Sequence, residues 1–221
     1  MSGTMGYFWN VTSYLLSGAG ATALLFFIVI LLSLPLGFCL TLMVRSKFKP
    51  LSVVANSYIY VIRGTPLLLQ LLFVYFGLPY IPMIGKYFIF ERFTAAIIGF
   101  ILNYAAYFAE IFRGGLLSID KGQYEAAKVL GFGKFKTQIL IILPQMFRVA
   151  LPSVANEAVT LVKDTALLYA VSVPEILHHA QSVVSRDANV LALLIAAVIY
   201  LILNLILTVF FKWLERKANF D

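Results

Sequence analysis

Residues 14–44 read YLLSGAGATALLFFIVILLSLPLGFCLTLMV and contain no charged side chain. A transmembrane helix needs roughly 20 predominantly apolar residues to cross about 30 Å of hydrocarbon, so this run predicts a membrane-spanning helix. The composition agrees, because 62% of the 221 residues are hydrophobic and only 12% are charged. Soluble domains carry about 25% charged residues. We therefore expect an integral membrane protein.

Four further apolar segments are long enough to span a membrane. They cover about residues 52–79, 93–112, 149–173 and 189–211. Together with residues 14–44 they predict an all-α integral membrane protein with five transmembrane helices, organised as a single transmembrane domain over residues 1–221. An odd number of spans places the two termini on opposite sides of the membrane.

The Lys and Arg positions predict which side is which, because cytoplasmic loops are enriched in these residues. Cations are frequent in residues 45–49, 114–147 and 212–217. The sequence therefore predicts an N-terminus outside the cell and a C-terminus in the cytoplasm. This topology accounts for most of the net charge of +7, and we expect no nucleic-acid partner. The cations of the predicted outer side are Lys86, Arg92 and Arg186.

The long cytoplasmic segment at residues 114–147 has the pattern of a short, capped helix. Asp120 can cap its N-terminus, Gln123 three residues later completes a capping-box pattern, and Gly131 supplies a left-handed stop. A helix of about ten residues is marginal alone, so it must dock on another surface. The spacing fits lipid headgroups, the protein's own helix bundle or a partner protein.

A longer pattern runs through residues 122–144, which read GQYEAAKVLGFGKFKTQILIILP. Residues 125–127 (EAA), Gly131 and residues 141–144 (IILP) match every fixed position of the EAA motif of ABC importer permeases. The chain therefore resembles a permease subunit of a type I importer of the polar amino acid uptake class. Three further segments look like that class: RGTPLLLQLLFVYFGLP at 63–79, NYAAYFAEIFRGGLLSIDKGQ at 103–123 and LVKDTALLYAVSVPEIL at 161–177.

The resemblance implies that the capped helix is a coupling helix, seated in a groove of a separate cytoplasmic ATPase subunit. It also implies two copies of that ATPase, a second permease copy or similar subunit, and an extracellular or periplasmic substrate-binding protein. ATP and Mg would be bound by the ATPase, with no cofactor in this chain. The complex would reside, as a multi-pass assembly, in the inner or plasma membrane of a prokaryote. The implied ATPase contacts are Tyr124, Glu125, Ala126, Ala127 and Gly131.

The residues themselves agree that this chain is not the ATPase. A phosphate-binding loop has the pattern G-x-x-x-x-G-K-[ST], and the nearest fragment, residues 131–134, is followed by Phe135 instead of Ser or Thr. The sequence also contains no H-E-x-x-H or G-x-S-x-G motif and no cysteine pair. His178 and His179 are adjacent and point to different helix faces, which argues against a metal site. We expect a transport subunit and not an enzyme.

Polar residues within the predicted spans form stripes at helical spacing. A charge in hydrocarbon costs about 2.5–3.5 kcal/mol on insertion scales, so such groups usually face a cavity or a partner. Two facing stripes would line a pathway near the midplane, where transporters hold substrate. The stripes are Asn103, Tyr107 and Glu110 in the third span, with Glu157, Thr160 and Asp164 beside Asn156, Thr160 and Lys163 in the fourth.

Structural roles remain open for single members of these stripes. Glu110 and Arg113 are three residues apart and fit an ion pair near the cytoplasmic boundary. Lys163 fits either the neutralisation of a carboxylate or a contact between subunits. For the fourth-span stripe as a group, we favour the pathway.

Residues 63–66 (RGTP) interrupt the second predicted span. Pro66 lacks an N–H and disfavours helix at Thr65, which frees backbone carbonyls in the membrane. The break fits either a polar substrate site that includes Arg63 and Thr65, or a plain proline kink. Arg63 fits either a substrate carboxylate or a span carboxylate such as Glu157.

The acidic groups Glu110, Glu157 and Asp164 favour a basic amino acid (arginine, lysine or histidine) as substrate, with glutamine or another polar amino acid second. One rival interpretation is an ATP-independent channel or carrier subunit, in which residues 114–147 form only an interfacial helix. A second rival is a membrane scaffold without a pathway.

Overall fold

The computed structural model describes residues 2–218, with side chains from residue 5 onwards. The ends of the predicted domain, residue 1 and residues 219–221, lie outside this range. Residues 2–218 contain ten α-helices and no β-strand, which confirms the all-α prediction. The helices are α1 Ser2–Ser17, α2 Ala19–Val44, α3 Lys49–Gly64, α4 Leu67–Leu72, α5 Arg92–Leu117, α6 Lys121–Val129, α7 Lys134–Thr137, α8 Leu143–Asp164, α9 Ile176–Asp187 and α10 Leu191–Ala218.

Within residues 2–218, four helical segments are long and apolar enough to cross a membrane. The helix α3 and the segment Leu67–Tyr80, which begins with α4, make a fifth if this bent pair counts as one span. The two helices of the pair meet at 107°. A total of four or five candidate spans is compatible with the five predicted spans. The side of the membrane on which each terminus lies stays a prediction. The four segments are Met5–Val44, Arg92–Leu117, Lys134–Val171 and Leu191–Ala218.

Helix α5 is the centre of the bundle and packs against α2, α3 and α8. Small residues allow the closest of these contacts: a Cβ added to Gly37 of α2 would lie 2.7 Å from Phe108 Cβ of α5. The nearby Thr41 hydroxyl donates to the Ala109 carbonyl at 2.9 Å. Small residues and interhelical hydrogen bonds of this kind hold membrane helices together. Phe100, Phe108 and Leu161 are fully buried in the resulting core.

A second core joins α1, α9 and α10 around Leu15 and Ile176. Next to it lies Glu175, a fully buried carboxylate that accepts the Tyr200 hydroxyl at 2.6 Å and the His178 backbone N–H at 2.7 Å. A buried charge needs such partners, and here they fix the start of α9 against α10.

The far end of α9 is tied to α1 by an exposed cluster. The Tyr7 hydroxyl donates to Asp187 at 2.9 Å, and Arg186 Nε donates to the same carboxylate at 2.6 Å. The hydrogen bond from Arg186 is the main reason that the pKa of Asp187 is lowered to about 2. Asp187 is therefore ionised at any physiological pH.

The predicted interruption of the second span is confirmed between Gly64 and Leu67. Thr65 is extended, with φ −120° and ψ 145°, and α4 starts directly after Pro66. The carbonyl of Ile62, which Pro66 cannot pair with, accepts the Gln70 side-chain amide at 2.7 Å. The protein itself therefore satisfies this freed carbonyl.

The predicted capped helix is confirmed as α6. Of the predicted capping box, the contact of Asp120 is present and the contact of Gln123 is not. Asp120 accepts the Gly122 backbone N–H, and Gly131 adopts the left-handed conformation at φ 80°. Gln123, however, does not reach back to the N-terminus of the helix. Its side-chain oxygen accepts the Gln145 amide of α8 at 3.2 Å, because α6 packs on the segment that leads into α8.

Candidate functional site

A polar cavity of about 590 Å³ lies between α3, α5 and α8. Its lining comes from the C-terminal part of α5, between Tyr107 and Gly115, and from the middle of α8, between Val149 and Glu157. Five of the predicted pathway residues meet in its wall: Arg63, Tyr107, Glu110, Asn156 and Glu157.

Glu110 is the centre of the cavity's ion pairs. Arg113, three residues later on α5, binds it through two nitrogens, with Nε at 2.9 Å. Arg63 of α3 approaches the same carboxylate at 3.9 Å and lies over the Tyr107 ring, 5.3 Å from its centroid. The local pair was one of the two roles expected for Glu110. Of the two roles left open for Arg63, the structure shows the contact with a span carboxylate, although this carboxylate is Glu110 and not Glu157, the example that the sequence suggested.

Glu157 is the second carboxylate of the cavity. It is partly buried in α8, and within residues 2–218 it accepts no hydrogen bond and forms no salt bridge. A carboxylate that lines a cavity without a partner of its own can form a charge-assisted hydrogen bond with a cationic ligand. Glu157 is therefore the group in this wall that gains most from a cationic ligand.

The other predicted pathway residues do not line this cavity. Asn103 is buried and donates to Gln70 Oε1 at 3.0 Å. Asp164 accepts the Tyr104 hydroxyl at 2.7 Å, and Thr65 bonds the Val61 carbonyl at 2.9 Å. The predicted stripe of the third span is therefore split, since Tyr107 and Glu110 face the cavity while Asn103 faces α4.

Two residues of the predicted fourth-span stripe also stay outside the cavity wall. The Thr160 hydroxyl donates to the Asn156 carbonyl one turn earlier, at 3.1 Å. Lys163 is exposed and forms no salt bridge with any residue in the range 2–218. The structure does not show Lys163 neutralising a carboxylate, and a subunit contact stays open.

Sequence reasoning missed three residues at or near the site. Ser153 lines the cavity and could have been found, because it precedes Asn156 and Glu157 by three and four residues on the same helix face. Gln70 carried a weaker signal, as a donor one turn after the missing N–H of Pro66. Tyr104, the partner of Asp164, gave no signal, because their contact joins residues that are far apart in sequence.

The segment around α6 has one face on the protein and one face outward. Ala127 is 1% exposed, and Tyr124 packs against the main core. Glu125, Ala126 and Gly131 are exposed. Three large apolar side chains of this segment are also exposed: Val129 at 87%, Leu130 at 72% and Phe135 at 77%. Exposed apolar clusters usually mark interaction sites.

This arrangement corrects the predicted faces of the helix. Helical spacing of three residues predicts that Tyr124, Ala127 and Leu130 lie near one face, but only Tyr124 and Ala127 turn inward. Leu130 lies just past the last turn, at the C-cap, where the chain reverses toward Gly131. Docking on the protein's own bundle therefore accounts for one face and leaves the other free.

The predicted absence of a metal site concerns His178 and His179. His179 stacks on Tyr14 at 4.5 Å between ring centroids, and its Nδ1 lies 3.0 Å from the Tyr14 carbonyl. Among residues 2–218, no group of three or more His, Cys, Asp and Glu side chains is arranged to hold a metal ion.

The fold and the site define a multi-span helical membrane protein with a charged cavity among its spans, an arrangement typical of transport subunits. The comparisons with known proteins give the family. The family model described as "Binding-protein-dependent transport system inner membrane component" matches residues 33–220. The chain belongs to this family, the permeases of ABC importers, and it is a multi-pass protein of the inner membrane.

Several relatives match nearly the whole chain. The probable amino-acid ABC transporter permease YckA of Bacillus subtilis is 40% identical, covering 92% of this chain and 88% of its own. The arginine transport system permease ArtQ of Bacillus subtilis is 40% identical, covering 93% of both chains. The putative glutamine transport system permease GlnP of Rickettsia typhi is 37% identical, covering 92% of both.

Solved structures agree with the family. A crystal structure of an amino acid ABC transporter with histidines superposes with a TM-score of 0.88 at 32% identity, covering 96% of this chain and 97% of that chain. An inward-facing form of the MetNI methionine ABC transporter superposes with a TM-score of 0.72 at 18% identity, covering 97% and 99%. The second match supports the fold alone.

Proposed function

We propose that this chain is the permease subunit of an ATP-driven amino acid importer, which moves its substrate by alternating access. Two separate ATPase subunits bind ATP and Mg and act on this chain from the cytoplasmic side. A second permease, identical or similar, completes the pathway. An external binding protein delivers the amino acid. In such a cycle the partners bias a two-state element, and the permease performs no covalent chemistry.

The observation that carries the proposal is the outward apolar face of α6. Val129 in the last turn and Leu130 at the C-cap are exposed, as is Glu125, and this helix carries the EAA residues. A separate ATPase groove is the partner that would bury them. We propose that the exposed Glu125, Ala126 and Gly131 make this contact directly. The other two residues expected there, Tyr124 and Ala127, face the bundle, and we propose that they hold the helix in the position that presents the contact.

A short path connects α6 to the cavity. Gln123 of α6 bonds Gln145 in the first turn of α8, and Tyr124 packs on the main core. Residues 134–142 run directly into α8, which carries Asn156 and Glu157. A movement of α6 would therefore reach the cavity wall through one connected set of helices, with residues 131–144 as the link.

We propose that the cavity receives a basic amino acid, with arginine, lysine or histidine ranked above glutamine. Glu157 is available to a cationic side chain, while Glu110 is already bound by Arg113. Arg63 lies 3.9 Å from Glu110, a loose pair that leaves it free to bind the substrate's carboxylate. One relative named for arginine and a solved structure with histidines support this ranking, whereas relatives named for glutamine keep the second choice open.

The substrate proposal is tested by Glu157→Gln in proteoliposomes that contain the complete transporter and its binding protein. Loss of a charge-assisted hydrogen bond, about 1.5–3 kcal/mol, should weaken arginine uptake at low concentration by about ten- to a hundredfold. Glutamine uptake, if present, should change far less. Glu91→Gln is the matched control, because Glu91 lines a different pocket at the opposite end of α5.

Equal arginine uptake by the Glu157→Gln and Glu91→Gln variants would contradict the assigned role of Glu157.

The other predicted pathway residues have different roles in the proposal. Tyr107 and Asn156 share the cavity wall, and we propose that they contact substrate. For Thr65, Asn103, Thr160, Lys163 and Asp164 we propose a place along the pathway only in another conformation, because none of them lines the cavity in this structure.

A further inference from the structure

A second, apolar groove of about 490 Å³ opens between α2, α8 and α10. None of its lining residues belongs to the polar cavity. Pro35 and Phe38 come from α2, Phe147 and Arg148 from the start of α8, and Leu214 from the end of α10. The volume lies within the range of about 300–1,000 Å³ that is usual for ligand pockets.

Three phenylalanine rings form the floor of the groove. Phe38 and Phe147 lie 5.8 Å apart between centroids, and Phe112 lies 5.9 Å from Phe38 and 5.7 Å from Phe147. Phe112 is buried, while Phe147 is 46% exposed. The floor presents no hydrogen-bonding group, so whatever fills this part of the groove must itself be apolar.

One end of the groove is cationic. Arg148 is the single charged side chain among the described lining residues, and it is exposed. The last turn of α10, which supplies Ala218 to the lining, also carries Arg216 and Lys217. Glu215 is the acidic residue of this turn, so the rim stays positive.

The groove lies along membrane-spanning helices, where the surrounding solvent is lipid. Arg and Lys at the ends of such helices extend toward the headgroups, and the ring of Trp213 beneath Lys217, at 4.3 Å, is typical of the membrane interface. An apolar floor that ends in a cationic rim is complementary to an amphiphile with an anionic head. Basic pockets between transmembrane helices bind such headgroups.

We propose that this groove is a binding site for one anionic phospholipid, with an acyl chain along Phe38, Phe112 and Phe147 and the phosphate at Arg148. The rim lies at the same end of the bundle as α6, since α8 begins there. The lipid therefore comes from the leaflet on the side of α6, which is the predicted cytoplasmic side.

The proposal is tested on the complete purified transporter by native mass spectrometry after delipidation. Dioleoyl phosphatidylglycerol and dioleoyl phosphatidylcholine are titrated separately. We expect one tightly retained phosphatidylglycerol for each copy of this chain, and weaker binding of phosphatidylcholine. In Arg148→Gln, phosphatidylglycerol should bind about fivefold more weakly, with phosphatidylcholine unchanged.

Three further variants make the test specific. Arg148→Lys should retain most of the preference for phosphatidylglycerol. Arg45→Gln removes a cation at the end of α2, outside the groove, and should leave binding unchanged. Leu151→Trp fills the groove and should weaken the retention of both lipids, because Leu151 lines it.

Several outcomes would overturn the proposal. Equal effects of Arg148→Gln and Arg45→Gln would show only unspecific attraction to the surface. Full retention of phosphatidylglycerol in Leu151→Trp would place the lipid elsewhere. If the separate chain retains phosphatidylglycerol and the assembled transporter does not, a protein contact covers the groove.

Discussion

At the scale of single residues, Pro66 and Gln70 show what a sequence reveals and what it leaves out. The missing N–H of Pro66 predicts a freed carbonyl, since this follows from covalent chemistry alone. The identity of the donor that replaces it does not follow, because several polar groups lie within reach along the chain. The structure gives that role to Gln70, which bonds Ile62 and is held by Asn103.

We predict that Gln70→Leu destabilises the protein by about 1–3 kcal/mol, the usual cost of an unsatisfied buried polar group. The variant leaves the Ile62 carbonyl and the Asn103 amide without their partner. Thermal unfolding of the purified protein, followed by circular dichroism, measures the change. Gln181→Leu is the control, because Gln181 lies in α9 and makes no side-chain hydrogen bond within the described residues; equal melting temperatures for the two variants would refute the role of Gln70.

Charged residues follow the same division between local and distant contacts. The pair of Glu110 with Arg113 could be foreseen, because residues three apart on a helix are neighbours. The contact of Arg63 with Glu110 could not be foreseen, since it joins two helices, α3 and α5, that are far apart in sequence. The sequence left open a substrate carboxylate or a span carboxylate such as Glu157, because the distances between side chains of different spans depend on how the helices pack.

At the scale of elements, caps could be read from the sequence better than docking faces. Asp120 and Gly131 delimit α6 as expected, because each acts through its own backbone conformation or its immediate neighbours. The turn at Gly18, which separates α1 from α2, was not foreseen inside the uncharged run 14–44. The tertiary contact at this turn explains the glycine, because a Cβ at position 18 would lie 2.6 Å from the Glu175 backbone.

The two faces of α6 make a matched prediction. Leu130→Asp alters a side chain that is 72% exposed, so the permease should fold normally while its affinity for the ATPase falls about tenfold or more, as for other interface anchors. Ala127→Asp buries a charge at a site that is 1% exposed and should destabilise the permease itself.

Two measurements separate these effects: thermal unfolding of the permease alone and co-purification with the tagged ATPase. Leu130→Asp should alter only the second, and Ala127→Asp should alter the first. If Leu130→Asp leaves ATPase binding intact, the outward face of α6 is not the coupling surface, and a role on lipid headgroups becomes the better interpretation.

At the scale of the whole molecule, composition was sufficient for the class of fold and the approximate number of spans. Hydrophobic runs and helix length are tied by the thickness of the bilayer, which makes this inference robust. The arrangement of helices around α5 could not be predicted from composition, because close contacts such as that of Gly37 with Phe108 depend on tertiary packing. The polar cavity was foreseen as a set of residues but not in its final membership.

Orientation is the property of the whole molecule that follows most directly from charge. In a Cys39→Ser background, Lys86→Cys should react with a membrane-impermeant maleimide in intact cells, and Lys136→Cys should react only after permeabilisation. The reason is that Lys86 lies in the predicted outer loop and Lys136 in the predicted cytoplasmic segment. Reversed labelling would invert the topology and place α6 out of reach of a cytoplasmic ATPase.

The central claim is that this chain transports an amino acid only when an ATPase acts on it. The most direct test is the uptake of radiolabelled arginine by proteoliposomes that contain the permease with its ATPase and binding protein, with and without ATP. We expect accumulation that requires both ATP and the ATPase subunit. Uptake at an unchanged rate by the permease alone would contradict the account and favour an ATP-independent channel or carrier.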